Sequence, residues 1–551
     1  MRRRHAAGFA DRQRVGSAQS LHDPGDQATA LRAGDRGRRC GHRVRRGADH
    51  GTGRGRRAHE HRPRRSEGLR AHGASHAVGG GSGAAGVPGR SHAAARNRCA
   101  LQPDLGLARF AVKHTPPTPA RWAAFQALQR VRSGELADRA FERAAEGLDR
   151  RARAWALELL LGTLRLQGRI DHLLTHVVRP GLDRLEPAVL DVLRLGAYQL
   201  LAMDSVPAYA AISQSVELVR AAGAPRAAGL VNGVLRTLSR EAGRLPFPDP
   251  VADPVGHLST WGSHPRWLLE RWLRRWPLAE VQALVEANNR RPELYVVPLG
   301  LTAEEARQRL AAAGIEAEPS VLYERVLHVR PPAVAADVLA VLPAVVQDPG
   351  AALVAPYAAP PAGARVFDLC AAPGGKSLAL ADRGAQVVAA DVAPVRVRKL
   401  RQNVERVGWA DRVRVLVADG RQPPFPFGCA DLVLLDVPCT GTGTLRRHPD
   451  ARWRLQPEDL ERLPRLQAAL LEAAAPLVRA GGWLVYSTCS LEPEENEMQI
   501  ERFLAAHPEF APDPSDEPAV RPWLDERGFL VLRPQRSGVD GAFAARLRRC
   551  P

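Results

Sequence analysis

The sequence predicts an α/β domain with a mostly parallel sheet over residues 350–551, preceded by an all-α domain and a small α+β module. Three hydrophobic patterns support this fold class. Apolar residues recur at helical spacing over 117–245, the pattern is mixed over 264–349, and short apolar runs alternate with helical stretches after residue 350. Because apolar strands separated by helices are typical of a sheet buried on both faces, the last pattern indicates a parallel sheet.

Residues 1–116 are predicted to be disordered, because they are rich in Arg, Gly, His and Ala and lack hydrophobic periodicity. Residues 1–114 hold 24 basic and 8 acidic residues, so +16 of the formal net charge of +19 lies there. Three interpretations of the segment compete. It is a basic tail with non-specific nucleic-acid affinity, or a solvated tail without function. The third is that the start codon is assigned too far upstream, so that GC-rich upstream DNA is translated in the wrong frame. We favour the third interpretation. The charge therefore gives no evidence that the folded part binds nucleic acid.

Composition argues against a membrane protein and against a disulfide framework. No apolar run approaches the ~20 residues that a membrane-spanning helix needs, and no secretory signal follows the basic N-terminus. Seven cysteines, an odd number without metal-ligand spacing, lie at positions 40, 99, 370, 429, 439, 489 and 550. Such scattered thiols are typical of reduced, intracellular proteins. We therefore expect a cytoplasmic monomer with no metal site and no membrane partner.

The all-α domain is predicted from amphipathic stretches. Apolar residues repeat every third position from Trp122 to Val131 and at helical spacing over 154–168, 188–203 and 209–222. The segments 193–200, 206–212 and 229–236 together resemble the NusB-type RNA-binding helical domain. A helical bundle with a purely structural role is the alternative.

The segment 246–265 is rich in proline and glycine and predicts a linker. The α+β module after it begins with helical stretches and continues with alternating short strands and a helix. Its predicted helices are 267–275, 281–289 and 302–313, and its predicted strands are 295–299 and 326–329.

A glycine-rich turn follows the first strand of the α/β domain, in the motif Asp-Leu-Cys-Ala-Ala-Pro-Gly-Gly-Lys over 368–376. Paired glycines let a ligand approach the backbone closely. The motif is neither a Walker A loop nor a dinucleotide fingerprint, so it does not favour phosphate binding. Lys376 is one of three lysines in a chain with 75 arginines. Its place directly after the turn favours a ligand contact over a chance surface position.

Two carboxylates end the next strands of the domain. Asp391 follows the second strand, where it can accept hydrogen bonds from ribose hydroxyls, and Asp419 follows the third, where it can meet an adenine edge. Acidic residues at strand ends are common in α/β proteins in general, so the alternative is that these carboxylates bind no ligand. Since ligands of parallel sheets bind at the carboxyl ends of the strands, the set predicts a nucleoside cofactor.

Two cysteines follow two further strands. Cys439 lies in Asp-Val-Pro-Cys after the run 432–435, and Cys489 lies in Ser-Thr-Cys-Ser after the run 483–487. Free cysteines are often simply core residues. These two, however, lie in polar loops just past apolar runs, at the same sheet edge as the glycine turn. A thiolate in such a place is a strong nucleophile and a reversible leaving group.

Taken together, the motifs at 368–376, 436–439 and 487–490 resemble those of the RNA cytosine-C5 methyltransferase family. With the NusB-like domain in front, residues 120–549 resemble its bacterial 16S rRNA subfamily, called RsmB or Sun. The resemblance implies a Rossmann-like domain with a seven-stranded, mostly parallel sheet and the cofactor S-adenosyl-L-methionine. It also implies 16S rRNA, or a small-subunit assembly intermediate, as the partner.

The resemblance assigns roles to individual residues. Cys489 would be the nucleophile that adds to C6 of a cytosine and so activates C5, and Cys439 would assist proton removal and product release. Arg446, Arg447 and His448 would face the RNA. Contacts to the cofactor or to the base would come from Cys370, Ala371, Ala372, Pro373, Gly374, Gly375, Lys376, Asp391, Asp419 and Asp436.

Other functions remain as alternatives. Methylation of an exocyclic amine needs no thiol and favours an Asn/Asp-Pro-Pro-Tyr/Phe loop, where this chain has Asp-Val-Pro-Cys. The same cysteine chemistry on tRNA is the nearest enzymatic alternative. The non-enzymatic alternative is an RNA-binding or ribosome assembly factor that acts through the helical domain.

Overall fold

The computed structural model describes residues 115–179 and 181–551. The segment 1–116, predicted to be disordered, lies outside these residues except for its last two positions, so that expectation stays a prediction. Among the helices of the described ranges, none combines the length and the apolar character that a membrane crossing requires.

The N-terminal helical domain packs around one apolar core. Phe125, Leu159 and Leu193 are almost fully buried in it. Gly162 is required at the contact between the helices Arg150–Arg165 and Pro187–Ala202, since a Cβ there would lie 2.0 Å from the Tyr198 ring. Its helices are α1 Pro119–Arg132, α2 Ala137–Ala144, α3 Arg150–Arg165, α4 Gln167–Val177, α5 Pro187–Ala202, α6 Ala208–Ala221 and α7 Ala228–Glu241. The predicted stretch 154–168 is divided between two helices, because α3 ends at Arg165 and α4 begins at Gln167.

The segment 246–265, which its composition predicts to be a linker, is partly helical. It contains helix α8, Pro254–Thr260, whose first turn is capped by the Asp253 carboxylate, which accepts a hydrogen bond from the Gly256 N–H at 2.8 Å. Leu258 is buried in a core shared with α9, Arg266–Leu273, and α10, Leu278–Asn289. Burial of this apolar side chain stabilises a helix in a segment of high proline content.

The α+β module contains an antiparallel sheet with the strand order β2-β3-β1-β4. Thr302 and Glu305 form a reciprocal capping box at the start of the helix Ala303–Ala312. The elements are β1 Leu294–Pro298, α11 Ala303–Ala312, β2 Ala317–Pro319, β3 Leu327–Val329, α12 Ala335–Val341 and β4 Ala344–Val346.

The C-terminal domain alternates strands and helices. Its elements are α13 Pro349–Ala352, α14 Val354–Ala358, β5 Arg365–Asp368, α15 Gly375–Asp382, β6 Gln386–Asp391, α16 Pro394–Arg406, β7 Val413–Val417, β8 Ala430–Asp436, α17 Ala451–Arg454, α18 Asp459–Ala474, β9 Val478–Thr488, α19 Glu497–Ala506, β10 Phe510–Pro512, β11 Leu530–Leu532, α20 Pro534–Ser537 and β12 Ala542–Arg549.

In the described part of the chain, the large sheet has the order β10-β12-β9-β8-β5-β6-β7, and β11 pairs with β12 as an eighth strand. The five neighbouring strands β9, β8, β5, β6 and β7 are parallel, and β12 runs antiparallel to β9. This mostly parallel sheet behind an all-α domain confirms the predicted fold class. The chain order reverses at β5 and β8, and such a reversal opens a crevice at the carboxyl ends of these strands.

Candidate active site

The turn between β5 and α15 needs glycine at one position. Gly374 has φ +106°, a left-handed conformation that side chains rarely adopt, and a Cβ there would lie 2.4 Å from Leu400 Cδ1. The Gly374 N–H donates to the Ala371 carbonyl at 2.7 Å, which closes the turn. The turn thus brings the start of α15 over the ends of the central strands.

A cavity of about 250 Å³ opens beside this turn at the carboxyl ends of β5, β6 and β7. It has acidic, basic and apolar walls. The lining residues are Leu369, Cys370, Asp391, Val392, Arg396, Asp419, Gly420, Arg421, Pro438, Leu466 and Leu470. Three predicted cofactor residues, Cys370, Asp391 and Asp419, are therefore brought together at one cavity.

Asp391 is held firmly at the end of β6. Its carboxylate accepts hydrogen bonds from the N–H groups of Ala372, at 3.3 Å, and Ala393, at 3.0 Å. Arg396 on α16 lies 3.4 Å from the same carboxylate and also donates to the Ala372 carbonyl at 2.5 Å. Asp391 consequently links the glycine-rich turn to the next strand, and its carboxylate faces the cavity from a fixed position.

Asp419 lies at the rim of the cavity after β7 and is paired with a neighbour. Arg421 donates to its carboxylate at 2.6 Å, and this pair, together with the Arg421 N–H, holds the pKa of Asp419 below its usual range. Arg396 and Arg421 were not among the predicted site residues. Their signal in the sequence is weak, because arginine is abundant throughout this chain.

The cavity suits a cofactor that contains a nucleoside. Two carboxylates provide acceptors for hydroxyl and amine donors, and Leu466 and Leu470 provide an apolar wall for a flat ring. At Gly420, a Cβ would lie 2.9 Å from Leu470 Cδ2 and 3.2 Å from the Leu369 carbonyl oxygen, so a side chain there would crowd this part of the wall. The donors and acceptors present fit such a cofactor, and they do not form a phosphate cradle.

The two predicted cysteines meet at the other end of the crevice. Cys439 follows β8 and Cys489 follows β9, and their sulfur atoms are 3.4 Å apart. Because β8 and β9 are parallel neighbours, both thiols lie at the same sheet edge as the glycine turn. The hydrogen bond with Cys489 and burial raise the pKa of Cys439 well above its usual value.

Lys376 and Asp436 form an ion pair beside the thiols, with the Lys376 Nζ 2.8 Å from Asp436 Oδ2. The other Asp436 oxygen accepts a hydrogen bond from the Ser487 hydroxyl at 2.9 Å. Burial alone would lower the pKa of Lys376, but Asp436 and the nearby Cys489 raise it. Lys376 is therefore a fixed cation that interacts electrostatically with Cys489, and Asp436 is an oriented acceptor.

Asp368 ends β5 beneath this pair and is completely buried. Burial raises its pKa to about 7, although the Ser377 hydroxyl donates to Oδ2 at 2.6 Å and partly offsets the effect. Asp368 thus supports the turn that carries Lys376 and does not line the cavity. The predicted residues Ala371, Ala372, Pro373 and Gly375 likewise shape the turn and do not line the cavity.

The basic segment 446–448 after Cys439 was expected to face RNA, but the structure buries most of it. Arg446 is buried and Arg447 is mostly buried, and both form ion pairs with Asp348 and Asp540. These carboxylates come from segments roughly 100 residues away on either side, and the pairing neutralises the arginines. Only His448 of the three is substantially exposed.

Known proteins share both the sequence and the fold of this chain. A model of the 16S rRNA methyltransferase RsmB/F family matches residues 356–548, and a NusB family model matches 118–240. A model of the ferredoxin-like domain of RsmF/B-like methyltransferases matches 264–335.

Two relatives and one solved structure extend this likeness over most of the chain. The Mycobacterium tuberculosis protein Rv1407 is 37% identical over 465 residues, which cover 79% of this chain and 98% of that protein. Ribosomal RNA small subunit methyltransferase B of Serratia proteamaculans is 32% identical and covers 72% of this chain and 90% of its own. The crystal structure of PH0851 matches at 27% identity with a TM-score of 0.66, over 79% of this chain and 99% of that one. This chain therefore belongs to the RsmB/F family of 16S rRNA methyltransferases.

Proposed function

We propose that the protein transfers a methyl group from S-adenosyl-L-methionine to C5 of a cytosine in 16S rRNA, with Cys489 as the nucleophile. The observation that carries this proposal is the pair of thiols 3.4 Å apart beside the Lys376–Asp436 ion pair. Carbon 5 of cytosine is a weak nucleophile, so its methylation needs a group that first adds to C6. A thiolate can do this and can leave again afterwards.

The electron flow of the proposed reaction balances without any further reactant. The Cys489 thiolate forms a bond to C6, and the C5–C6 π electrons then form the new bond from C5 to the methyl carbon. S-adenosyl-L-methionine supplies that methyl group, and the electron pair of the broken bond stays on its sulfur. A base removes the C5 proton, the C5–C6 double bond re-forms, and the thiolate of Cys489 is expelled.

The residues around the thiols have separate parts in this scheme. Lys376 provides a positive charge for the attacking thiolate and keeps Asp436 in place. Asp436 accepts a hydrogen bond from the exocyclic amine of the cytosine, which orients C6 towards Cys489. Cys439 takes up the C5 proton or passes it on at a later stage, because Cys489, whose sulfur lies next to it, no longer raises the pKa of Cys439 once it is bonded to C6.

The cofactor would bind in the cavity at the ends of β5, β6 and β7. Asp391 would accept the ribose hydroxyls, and Asp419 would meet the adenine edge at the rim. Pro438 lines the cavity and directly precedes Cys439, so the cavity adjoins the thiol pair. This adjacency supports methyl transfer from a cofactor bound in the cavity to a base held at the thiol pair.

A deletion strain tests the reaction and the substrate together. Bisulfite sequencing of 16S rRNA from wild-type cells should show one protected cytosine that becomes unprotected in the deletion strain. A complementing copy of the gene should restore the protection. An unchanged pattern in 16S rRNA would contradict the rRNA assignment, and the same cytosine change in tRNA would favour the tRNA alternative.

Replacing Cys439 with alanine should trap the covalent intermediate. Without the second thiol, proton removal and release of Cys489 are expected to slow, so that protein and RNA remain linked through C6. A band of reduced mobility on a denaturing gel, dependent on the cofactor and on the RNA, is the measurement. The double replacement of Cys439 and Cys489 by alanine is the matched control and should form no adduct. A Cys439→Ala enzyme with normal turnover would contradict the division of roles.

A further inference from the structure

Glu495 is a fully buried carboxyl in the loop after Cys489 that the sequence analysis did not single out. Its oxygens accept hydrogen bonds from the Thr440 N–H at 2.9 Å, the Thr440 hydroxyl at 2.5 Å and the Gln467 side-chain amide at 3.0 Å. Each of these partners is a donor. Burial raises the pKa of Glu495, and these donors act in the opposite direction. Because an ionised carboxylate is an acceptor only, a set of contacts made entirely of donors favours the ionised form.

The contacts of Glu495 join the two loops that carry the thiols. Thr440 directly follows Cys439, and its hydroxyl also lies 3.1 Å from the hydroxyl of Ser490, which directly follows Cys489. The Tyr486 hydroxyl donates to the Glu495 carbonyl at 2.6 Å, and this contact holds the backbone of Glu495 against β9. Glu495 is thus the centre of a buried network between the Cys439 turn and the Cys489 turn.

The charged groups around the thiols are distributed unevenly. The Lys376 ammonium interacts electrostatically with Cys489. The Glu495 carboxylate is hydrogen-bonded to Thr440, the residue after Cys439, and interacts electrostatically with Cys439. The remaining titratable neighbours are Asp436, which is paired with Lys376, and the buried Tyr486. A negative charge close to Cys439 disfavours its thiolate, so this environment favours a neutral thiol at Cys439.

We propose that Glu495 is a positioning residue that holds the Cys439–Thr440 turn against the Cys489 loop and keeps Cys439 a neutral thiol while Cys489 attacks. The proposal rests on the proposed function in one respect, the different roles of the two cysteines. Within it, Glu495 acts through Thr440 and through its charge, without touching the base or the cofactor. The network therefore provides a physical reason for which of two adjacent thiols attacks.

The pH dependence of alkylation tests this inference without RNA or cofactor. Each cysteine of the full-length protein is followed by peptide mass spectrometry after brief exposure to iodoacetamide at a series of pH values. In the wild-type protein, Cys489 should be alkylated at lower pH than Cys439. In Glu495→Gln, which keeps the size and an acceptor oxygen, the midpoint for Cys439 should fall by about one pH unit, equivalent to a roughly tenfold rise in its thiolate fraction.

Glu494→Gln is the matched control, because Glu494 is the adjacent glutamate and pairs with Arg271 instead of the cysteine loops. It should leave both midpoints unchanged. Equal midpoint shifts of both cysteines in Glu495→Gln, or no shift for Cys439, would overturn the proposal. If Glu495→Gln does not fold, the order in which the two cysteines of the wild-type protein are alkylated as the pH rises still tests the proposal. Alkylation of Cys439 at lower pH than Cys489 would contradict the assignment of the neutral thiol to Cys439. None of these results depends on whether cytosine methylation is detected, so failure of the proposed function is recognised separately.

Discussion

Cys489→Ala is expected to lower the rate of methyl transfer by at least about 1000-fold while leaving RNA affinity nearly unchanged. The variant removes the only atom that can form the bond to C6 in the proposed reaction, and alanine fills the position without disturbing β9. Cys439 cannot replace it, because its environment favours the neutral thiol. Transfer of a tritiated methyl group to 16S rRNA measures the rate, and filter binding measures the affinity.

Cys429→Ala is the matched control for this experiment. Cys429 is also a free, partly buried cysteine, but it lies at the start of β8, at the opposite edge of the sheet from Cys439. Its replacement should leave methyl transfer within about twofold of the wild-type rate. Retention of more than a tenth of the activity by Cys489→Ala would exclude covalent catalysis by that thiol. Loss of RNA binding together with activity would instead indicate a structural role.

The strands of the C-terminal sheet were predictable because both faces of the sheet are buried. The apolar run 413–417 coincides with β7, and the run 386–390 is one residue shorter than β6. In β8, Leu432 and Leu434 pack on one face of the sheet, while Val433 and Leu435 pack on the other. Burial on both faces of a central strand such as β8 leaves a nearly continuous apolar run in the sequence, and such a run can be recognised without knowledge of the neighbouring strands.

The helical break at Leu166 had no comparable signal. Leu166 is neither proline nor glycine, and the apolar period continues through it, yet α3 ends before it and α4 begins after it. The same holds for α8, where buried Leu258 stabilises a helix in a segment whose composition indicates a linker. In both places tertiary packing decides the local structure, and packing partners are not visible in a single sequence.

The geometry of the site was predictable only in part. Strand ends of a parallel sheet share one edge, so the sequence could place Cys439 and Cys489 at that edge. That β8 and β9 are neighbours, and that the sulfur atoms lie 3.4 Å apart, depends on the strand order. The partners of buried charges were not predictable at all. Arg446 looked like an RNA contact because Asp348 and Asp540 are distant in sequence.

Arg452 illustrates the same dependence on tertiary contacts and leads to the largest expected effect on stability. Its guanidinium on α17 is fully buried, and burial together with the nearby Arg165 lowers its pKa well below the usual value. It donates to the carbonyls of Arg165, at 3.0 Å, Ser263, at 3.1 Å, and Asn288, at 2.6 Å. These acceptors lie at the end of α3, before α9 and on α10, so one side chain joins three parts of the chain.

Arg452→Met is expected to reduce the free energy of unfolding by at least about 3 kcal/mol, because three buried carbonyls would each lose a donor at a cost of about 1–3 kcal/mol. Urea unfolding measures the loss, and limited proteolysis should show earlier cleavage within 246–265. Arg454→Met, two residues later on the same helix, is the control and should cost no more than about 1 kcal/mol, since Arg454 is partly exposed and pairs with Asp450. Equal losses in the two variants would show that the buried guanidinium does not hold the helical domain to the catalytic domain. A larger loss for Arg452→Met would mean that α17, which follows the loop with Cys439, is anchored to α3 and α10 through this guanidinium.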